Sequence, residues 1–392
     1  MLSNTKRIIG AAFGFAIAAI ATPSIADTID PTSFAADLAV GESVTIEKTV
    51  VVTEAPTSAL IDVHFLFDTS GSMGGRIDTV KAAAANIFTG LDAFGDVAGS
   101  VGVYSEAARL APAGSVPGRV INQDLTTNSA TAIAAINAVT LGDPDGGGDG
   151  AENGVTGIEL STENLSWRPG SNRFIFAFGD IGFKTGEATE GGLSGITYDT
   201  GFTPFGVGND DEDGAPISSV ADATAALTAD SVELIGFGPT GSFAGAITTL
   251  GGDFVDSGTD PDDLVADIIA SITGSFAEYN TVTVSDLAGG LPEIAVSAVC
   301  TSADIGACVG ADAVGDYDRS VDRTFTFDVT FARVAGGDSF FDTYALVDDG
   351  IVATEADRFP GGVPVIPLPA SGWLLIAGLG GLAAARRRKK AD

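Results

Sequence analysis

The peptide Phe67-Asp68-Thr69-Ser70-Gly71-Ser72-Met73-Gly74 sets one carboxylate and two hydroxyls at alternate positions. This spacing turns Asp68, Ser70 and Ser72 toward a single point, and oxygen-only donors select a hard divalent cation, Mg²⁺, Ca²⁺ or Mn²⁺. Other chemistry finds less to work with. The single histidine, His64, lies four residues before Asp68 inside an apolar run, and it reads as a buried strand residue rather than a base. Ser70 and Ser72 then lack a partner that would activate them as nucleophiles. The chain has no Gly-x-x-x-x-Gly-Lys-Ser/Thr phosphate loop and no Cys/His zinc cluster. The expectation is a binding protein and not an enzyme.

Such a peptide needs a strand before it and a helix after it. Leu60 to Phe67 is the strand, an apolar run broken by Asp62 and His64, and Ile77, Val80, Ala84, Ile87 and Leu91 recur at helical spacing behind it. Further strands are expected at Val97–Tyr104, Phe174–Phe178 and Val232–Phe237, with helices at Ala130–Val139, Gly150–Leu160 and Asp262–Ile272. Strand and helix alternate from residue 58 to 276, which predicts an α/β fold, a doubly wound and mostly parallel sheet of Rossmann-like type. Ligands of such sheets bind at the carboxyl edge, where Asp68 falls. Between Asp180 and Ala221 the pattern fails and a surface insertion is expected. It contains the acidic run Asp210-Asp211-Glu212-Asp213, which lacks the alternate spacing of a calcium loop and reads as solvated. Residues 277–360 alternate in the manner of strands, as in Thr324-Phe325-Thr326-Phe327-Asp328-Val329-Thr330-Phe331. Ser43 to Thr53 has the same character but precedes the α/β unit. Residues 27–57 and 277–360 are therefore expected to form one small β-sandwich, with the α/β unit inserted in it. The simpler alternative is that the sandwich only follows that unit.

With its flanking elements, the Asp-x-Ser-x-Ser peptide resembles the metal-ion-dependent adhesion site of the von Willebrand factor A domain, over residues 59–276. The resemblance implies one divalent cation, Mg²⁺ or Ca²⁺, and a protein or polysaccharide ligand that reaches it through an acidic residue. It also implies a second aspartate, matched by Asp180 in Phe178-Gly179-Asp180. The family's usual threonine turn is replaced by Gly146-Gly147-Gly148-Asp149-Gly150-Ala151-Glu152. Asp149 stands in for that threonine as a ligand, and Glu152 is a further candidate, as in the acidic loop of integrin β-subunits. The same two residues also suit a helix start, with Asp149 as cap and Glu152 three positions on. A third carboxylate would weaken attraction for an incoming acid and favour Ca²⁺.

The chain carries 19 basic and 52 acidic residues, a net charge of −33, which disfavours any phosphate backbone and excludes nucleic acid as a partner. With only 18% charged and 45% hydrophobic residues, this acid excess belongs to a folded protein. Diffuse cation binding by a structural matrix protein, with the A-type unit as mere scaffold, is the rival reading. Residues 1–26 read as a secretory signal, with Lys6-Arg7, an apolar run and Ser24-Ile25-Ala26. Signal peptidase would cut before Asp27. Residues 361–392 carry Pro364-Val365-Ile366-Pro367-Leu368-Pro369-Ala370, the apolar run Trp373–Ala385 and the basic cluster Arg386–Lys390. That run rises only about 20 Å as a helix, a marginal transmembrane anchor. The tail resembles the Val-Pro-Leu-Pro-Ala variant of the PEP-CTERM sorting signal. This implies an exosortase-type peptidase and delivery to the cell surface or extracellular matrix of a Gram-negative bacterium. The two cysteines, Cys300 and Cys308, agree with export and are expected to form a disulfide. Intact-mass analysis of secreted protein should find Asp27 as the first residue and no Arg386–Lys390 cluster. Retention of the full tail would favour a plain membrane anchor.

Overall fold

The computed structural model describes residues 27–54, 59–105, 108–110, 119–142, 151–185, 205–207, 218–287 and 293–361. Its first elements are three strands, β1 (Thr28–Asp30), β2 (Ser33–Ala35) and β3 (Ser43–Val52). The α/β unit follows with β4 (Ala59–Asp68), α1 (Gly74–Leu91), β5 (Gly95–Tyr104), β6 (Gln123–Thr126), α2 (Ser129–Ala138), α3 (Gly154–Asn164) and β7 (Asn172–Phe178). It continues with β8 (Phe183–Thr185), β9 (Phe205–Val207), α4 (Val220–Ala229), β10 (Val232–Gly238), α5 (Ser242–Thr249), β11 (Asp253–Asp256) and α6 (Pro261–Ser275). The last group is β12 (Glu278–Ser285), β13 (Ile294–Ala303), β14 (Ala307–Val309), β15 (Asp312–Asp318), β16 (Arg323–Arg333), β17 (Ser339–Val347) and β18 (Gly350–Phe359).

The α/β sheet has the order β11-β10-β7-β4-β5-β6, and all its pairings are parallel except that of β5 with β6. Period-two alternation divides β4 between two cores. Ile61, Val63, Phe65 and Phe67 face α1, α2 and α6, while Leu66 joins the core under α3, α4 and α5. On the first face Phe67 stacks on Phe178 with ring centroids 5.0 Å apart, and Phe178 stacks on Phe237 at 5.5 Å. This aromatic row fixes the level at which β4, β7 and β10 end. Helices therefore cover both faces, as the alternation of strand and helix predicts. Polar residues of β4 are buried too. Asp62 accepts hydrogen bonds from the Arg168 backbone N–H at 2.7 Å and from Ser171 Oγ at 2.8 Å. His64 Nδ1 lies 2.8 Å from Ser100 Oγ.

Two further sheets enclose a separate core. One has the antiparallel order β1-β3-β16-β13, and the other runs β14-β15-β12-β17-β18-β2. Val50, Val52, Phe325, Phe327 and Phe331 of the first pack against Val282, Val284, Ala345, Val352 and Phe359 of the second. Strand β3 runs along β16 from Ser43↔Ala332 to Val52↔Arg323, so residues on either side of the α/β unit meet in one sheet. Where β3 ends, Arg319 Nη1 donates to both carboxylate oxygens of buried Asp27 at 3.0 Å and to Thr53 O at 2.9 Å. Cys300 and Cys308 form a disulfide that ties β13 to β14.

Some expectations need correction. The helix expected over Gly150–Leu160 begins at Gly154, because Glu152 before it is held in extended backbone pairing. The insertion expected from Asp180 to Ala221 is structured at both ends, since buried β8 pairs with β9 and α4 starts at Val220. The acidic run Asp210–Asp213, the signal segment, the sorting motif and Trp373–Ala385 lie outside the described residues. Among the described residues, no helix is long and apolar enough to cross a membrane.

Burial pulls the His64 pKa from 6.5 down to about 3. The unfolded chain therefore binds the extra proton first, and stability falls as pH drops from 6.5 toward 3, with a limiting slope of about 1.4 kcal/mol per pH unit. Urea midpoints of wild type and His64→Gln should accordingly converge or cross as the solution is acidified through this window. Parallel curves would show that the folded protein accepts a charged imidazole.

Candidate metal centre

Asp68, Ser70, Ser72 and Asp180 sit on the carboxyl edge of the α/β sheet, where parallel strands end and helices begin. Strand β4 delivers Asp68, buried to 1% exposure. The chain then turns sharply, because the Thr69 N–H donates to Tyr104 O at 2.9 Å and the Thr69 hydroxyl to the same carbonyl at 3.1 Å. The Gly142 N–H closes on Thr69 O at 2.7 Å from the other side. With Thr69 pinned, the Ser70 N–H donates to Asp68 Oδ1 at 2.7 Å. A short 3₁₀ turn, Gly71–Met73, leads into α1 and plugs buried Met73 beneath it. Ser70 Oγ and Ser72 Oγ end 3.4 Å apart, so both hydroxyls of the motif converge beside the carboxylate.

Strand β7 delivers the second carboxylate. Gly179 before Asp180 is required by space: an added Cβ would lie 2.4 Å from the Phe243 ring and 2.9 Å from Tyr104 Oη. Asp180 lies close enough to Asp68 to raise the cost of charge there. Burial pushes the Asp68 pKa up to about 7, the Ser70 hydrogen bonds oppose this, and Asp180 adds to the rise. Tyr104 registers the whole cluster, since its phenol is pushed well above 10 by burial and then by the charges of Asp68, Glu152 and Asp180.

Glu152 reaches this cluster by a route the sequence did not show. Its backbone N–H donates to Gly182 O at 3.1 Å and its carbonyl accepts from the Lys184 N–H at 2.7 Å, bridging to the start of β8. Asn153, not Asp149, takes the capping position of α3. Glu152 is thus not the third residue of a helix, and the reading of Glu152 as part of a capping box is overturned. Asp149 lies outside the described residues.

Three neighbours were not singled out from the sequence. Tyr104 and Ser105 end β5 at the same edge, and the Asn153 N–H donates to Ser105 O at 2.8 Å. The rule that drew attention to the ends of β4 and β7 applies equally to β5, and could have found Tyr104 and Ser105. Among the described residues, Asp68 Oδ2, Asp180 Oδ1, Tyr104 Oη, Ser105 Oγ and both amide atoms of Asn153 are buried without a hydrogen-bond partner. Buried polar atoms are nearly always satisfied, so several orphans at one edge signal a missing partner. Two carboxylates and two hydroxyls fit a hard cation with room for water. No three His, Cys, Asp or Glu side chains converge as an all-acid cage among the described residues.

No protein-family model matches the sequence, and no curated protein matches it. Solved structures with a similar arrangement include a von Willebrand factor type A protein from Catenulispora acidiphila, with 15% identity over 86% of this chain and 73% of that one, and a TM-score of 0.35. Proximal thread matrix protein 1 of the mussel byssus, solved with zinc in its MIDAS motif, shows 15% identity over 59% of this chain and 48% of its own, with a TM-score of 0.36. The three N-terminal domains of the type V pili tip protein Mfa5 from Porphyromonas gingivalis show 14% identity over 83% and 78%, with a TM-score of 0.32. The assignment of the site in this chain rests on the geometry above.

Asp68→Asn keeps the oxygen that accepts from Ser70 and removes the charge that Asp180 opposes. In chelator this variant should be as stable as wild type or more so, within about 1 kcal/mol. A larger loss, measured by urea unfolding, would show that the fold itself needs the Asp68 charge.

Proposed function

We propose that this chain is an exported surface or matrix protein that adheres to a protein or polysaccharide through one divalent cation held at the carboxyl edge of its α/β sheet. The observation that carries the reading is the meeting of Asp68, Ser70, Ser72 and Asp180 at one edge, with buried carboxylate oxygens that no protein donor satisfies. Asp68, Ser70, Ser72 and Asp180 would hold the ion, and Asp149, outside the described residues, would be the fifth ligand. When bound, the cation supplies a positive centre to which an acidic group of the partner can coordinate.

What the chain's own residues do is position and insulate. Thr69, clamped between Tyr104 and Gly142, fixes the angle at which Asp68 and the two serines meet. Met73 and the aromatic row beneath exclude water from the floor. The reading is of binding, with the Asp68 carboxylate and the two serine hydroxyls acting as ligands of the ion. Export agrees with the Cys300–Cys308 disulfide, since such bonds persist in oxidising compartments.

Titration calorimetry with Ca²⁺ and with Mg²⁺ should give one stoichiometric site, and a hundredfold excess over the dissociation constant should stabilise the fold by about 2.7 kcal/mol. Asp180→Ala should abolish both effects, and Asp149→Thr should move the preference from Ca²⁺ toward Mg²⁺. Retention on extracellular matrix should be lost in chelator. Many weak sites with an unchanged melting temperature would instead support the rival, a structural matrix protein with diffuse cation binding.

A further inference from the structure

Strand β3 carries a lysine where its pattern calls for an apolar residue. Lys48, Val50 and Val52 occupy the inward row, and the Lys48 side chain is fully buried in the sandwich core. Its ammonium end crosses from the first sheet to the second, where Nζ contacts Glu355 Oε2 on β18 and lies 4.0 Å from Asp357 Oδ1. Glu355 and Asp357 are two residues apart on one strand and so share a face. Both side chains are fully buried, and Thr343 Oγ1 donates to Asp357 Oδ2. The Phe331 ring closes the other side, with its centroid 5.0 Å from Nζ. One amine and two carboxyls are thus held together away from water, and none of the three belongs to the α/β edge described above.

We propose that Lys48 and Glu355 become joined by an amide bond between Nζ and Cδ, with Asp357 as the proton carrier. In an apolar interior, proton exchange within a lysine–glutamate pair generates a free amine beside an un-ionised acid at far lower cost than in water. Burial and the neighbouring Asp357 favour that acid, holding the Glu355 pKa up at about 7. The amine attacks Cδ and the Nζ–Cδ bond forms. Asp357 takes one proton from the nitrogen and passes it to the departing hydroxyl, the Cδ–O bond breaks, and one water leaves. Atoms and charge balance with no oxidant or activating group. Fixed proximity supplies the driving geometry that free amine and acid lack in solution.

The position of the bond has a mechanical meaning. It joins β3, which leads into the α/β unit, to β18, the last described strand. A load between Ala59 and Gly361 would run through Lys48–Thr53, across the bond, and along Glu355–Phe359. Strands β12 to β17 would be spared from it. The Cys300–Cys308 disulfide ties β13 to β14, the next strand in sequence, and lies outside that path.

Proteolysis of the full-length protein followed by mass spectrometry tests this directly. The peptide bearing Lys48 should be recovered joined to the peptide bearing Glu355, lighter by one water than their sum, and Lys48→Arg should abolish the product. Asp357→Asn should slow its appearance about a hundredfold while circular dichroism remains that of the folded wild type. A wild-type protein with a free Lys48 amine and no loss of water would overturn the proposal. A bond to Asp357 would overturn Glu355 as the acceptor, and unslowed formation in Asp357→Asn would overturn the role given to Asp357.

Discussion

A carboxylate removed from water has to be neutralised by a proton, a base or a metal, since an uncompensated buried charge is among the costliest features a fold can hold. With 52 acidic and 19 basic residues, this chain has few bases to give, and their placement decides what each buried acid can do. Arg168 serves Asp62 at the amino end of β4, and Arg319 serves Asp27 where β3 leaves the sandwich. Lys48 serves Glu355 between the two sheets of the sandwich. These bases lie at seams, where separate elements must be held together. Asp68 receives no lysine or arginine among the described residues, although it is as buried as the others. Its carboxyl is pushed up instead, by burial and by Asp180. Under the proposed reading, an arginine at that edge would occupy the place of the cation.

Much of this was legible because strong local patterns and tertiary roles coincide. Leu60–Phe67 and Phe174–Phe178 are apolar enough to declare central strands, and the row Phe325, Phe327, Val329, Phe331 declares a half-buried one. The Asp-x-Ser-x-Ser spacing located three donors because the geometry that gathers them is local to five residues. Helices α4 and α5 were missed for the converse reason. Val220–Ala229 and Ser242–Thr249 are short and dominated by alanine, threonine and glycine, so their buried faces present little apolar periodicity. Strand β6, with the sequence Gln-Asp-Leu-Thr, is polar and half-exposed at the sheet edge. The capping-box alternative for Glu152 fails because its backbone partners, Gly182 and Lys184, come from another segment. Lys48 and Glu355 are separated by 307 positions, and no spacing rule reaches that far. The sole local signal was a lysine in register with Val50 and Val52.

That long separation also raises the question of how β3 finds β16 when the whole α/β unit lies between them. Closing a flexible loop of that length carries an entropic penalty that grows only slowly with length, yet the strands must still meet in one register. The α/β unit itself removes most of the difficulty. The Ala59 N–H, at its entrance, donates to Phe94 O at 2.9 Å, and the Phe94 ring stacks against Phe276, at its exit, with centroids 6.1 Å apart. Both ends of the unit are therefore held at one residue, in the turn between α1 and β5. Once folded, the unit acts as a short connection and not as a long loop, and it presents β3 and β12 to each other at a fixed distance. A folded α/β unit thereby eases assembly of the sandwich. The reverse does not follow, because the two α/β cores draw their buried residues only from 59 to 276. Such a linkage favours an order in which the α/β unit folds first and the sandwich, with its buried Lys48, closes behind it.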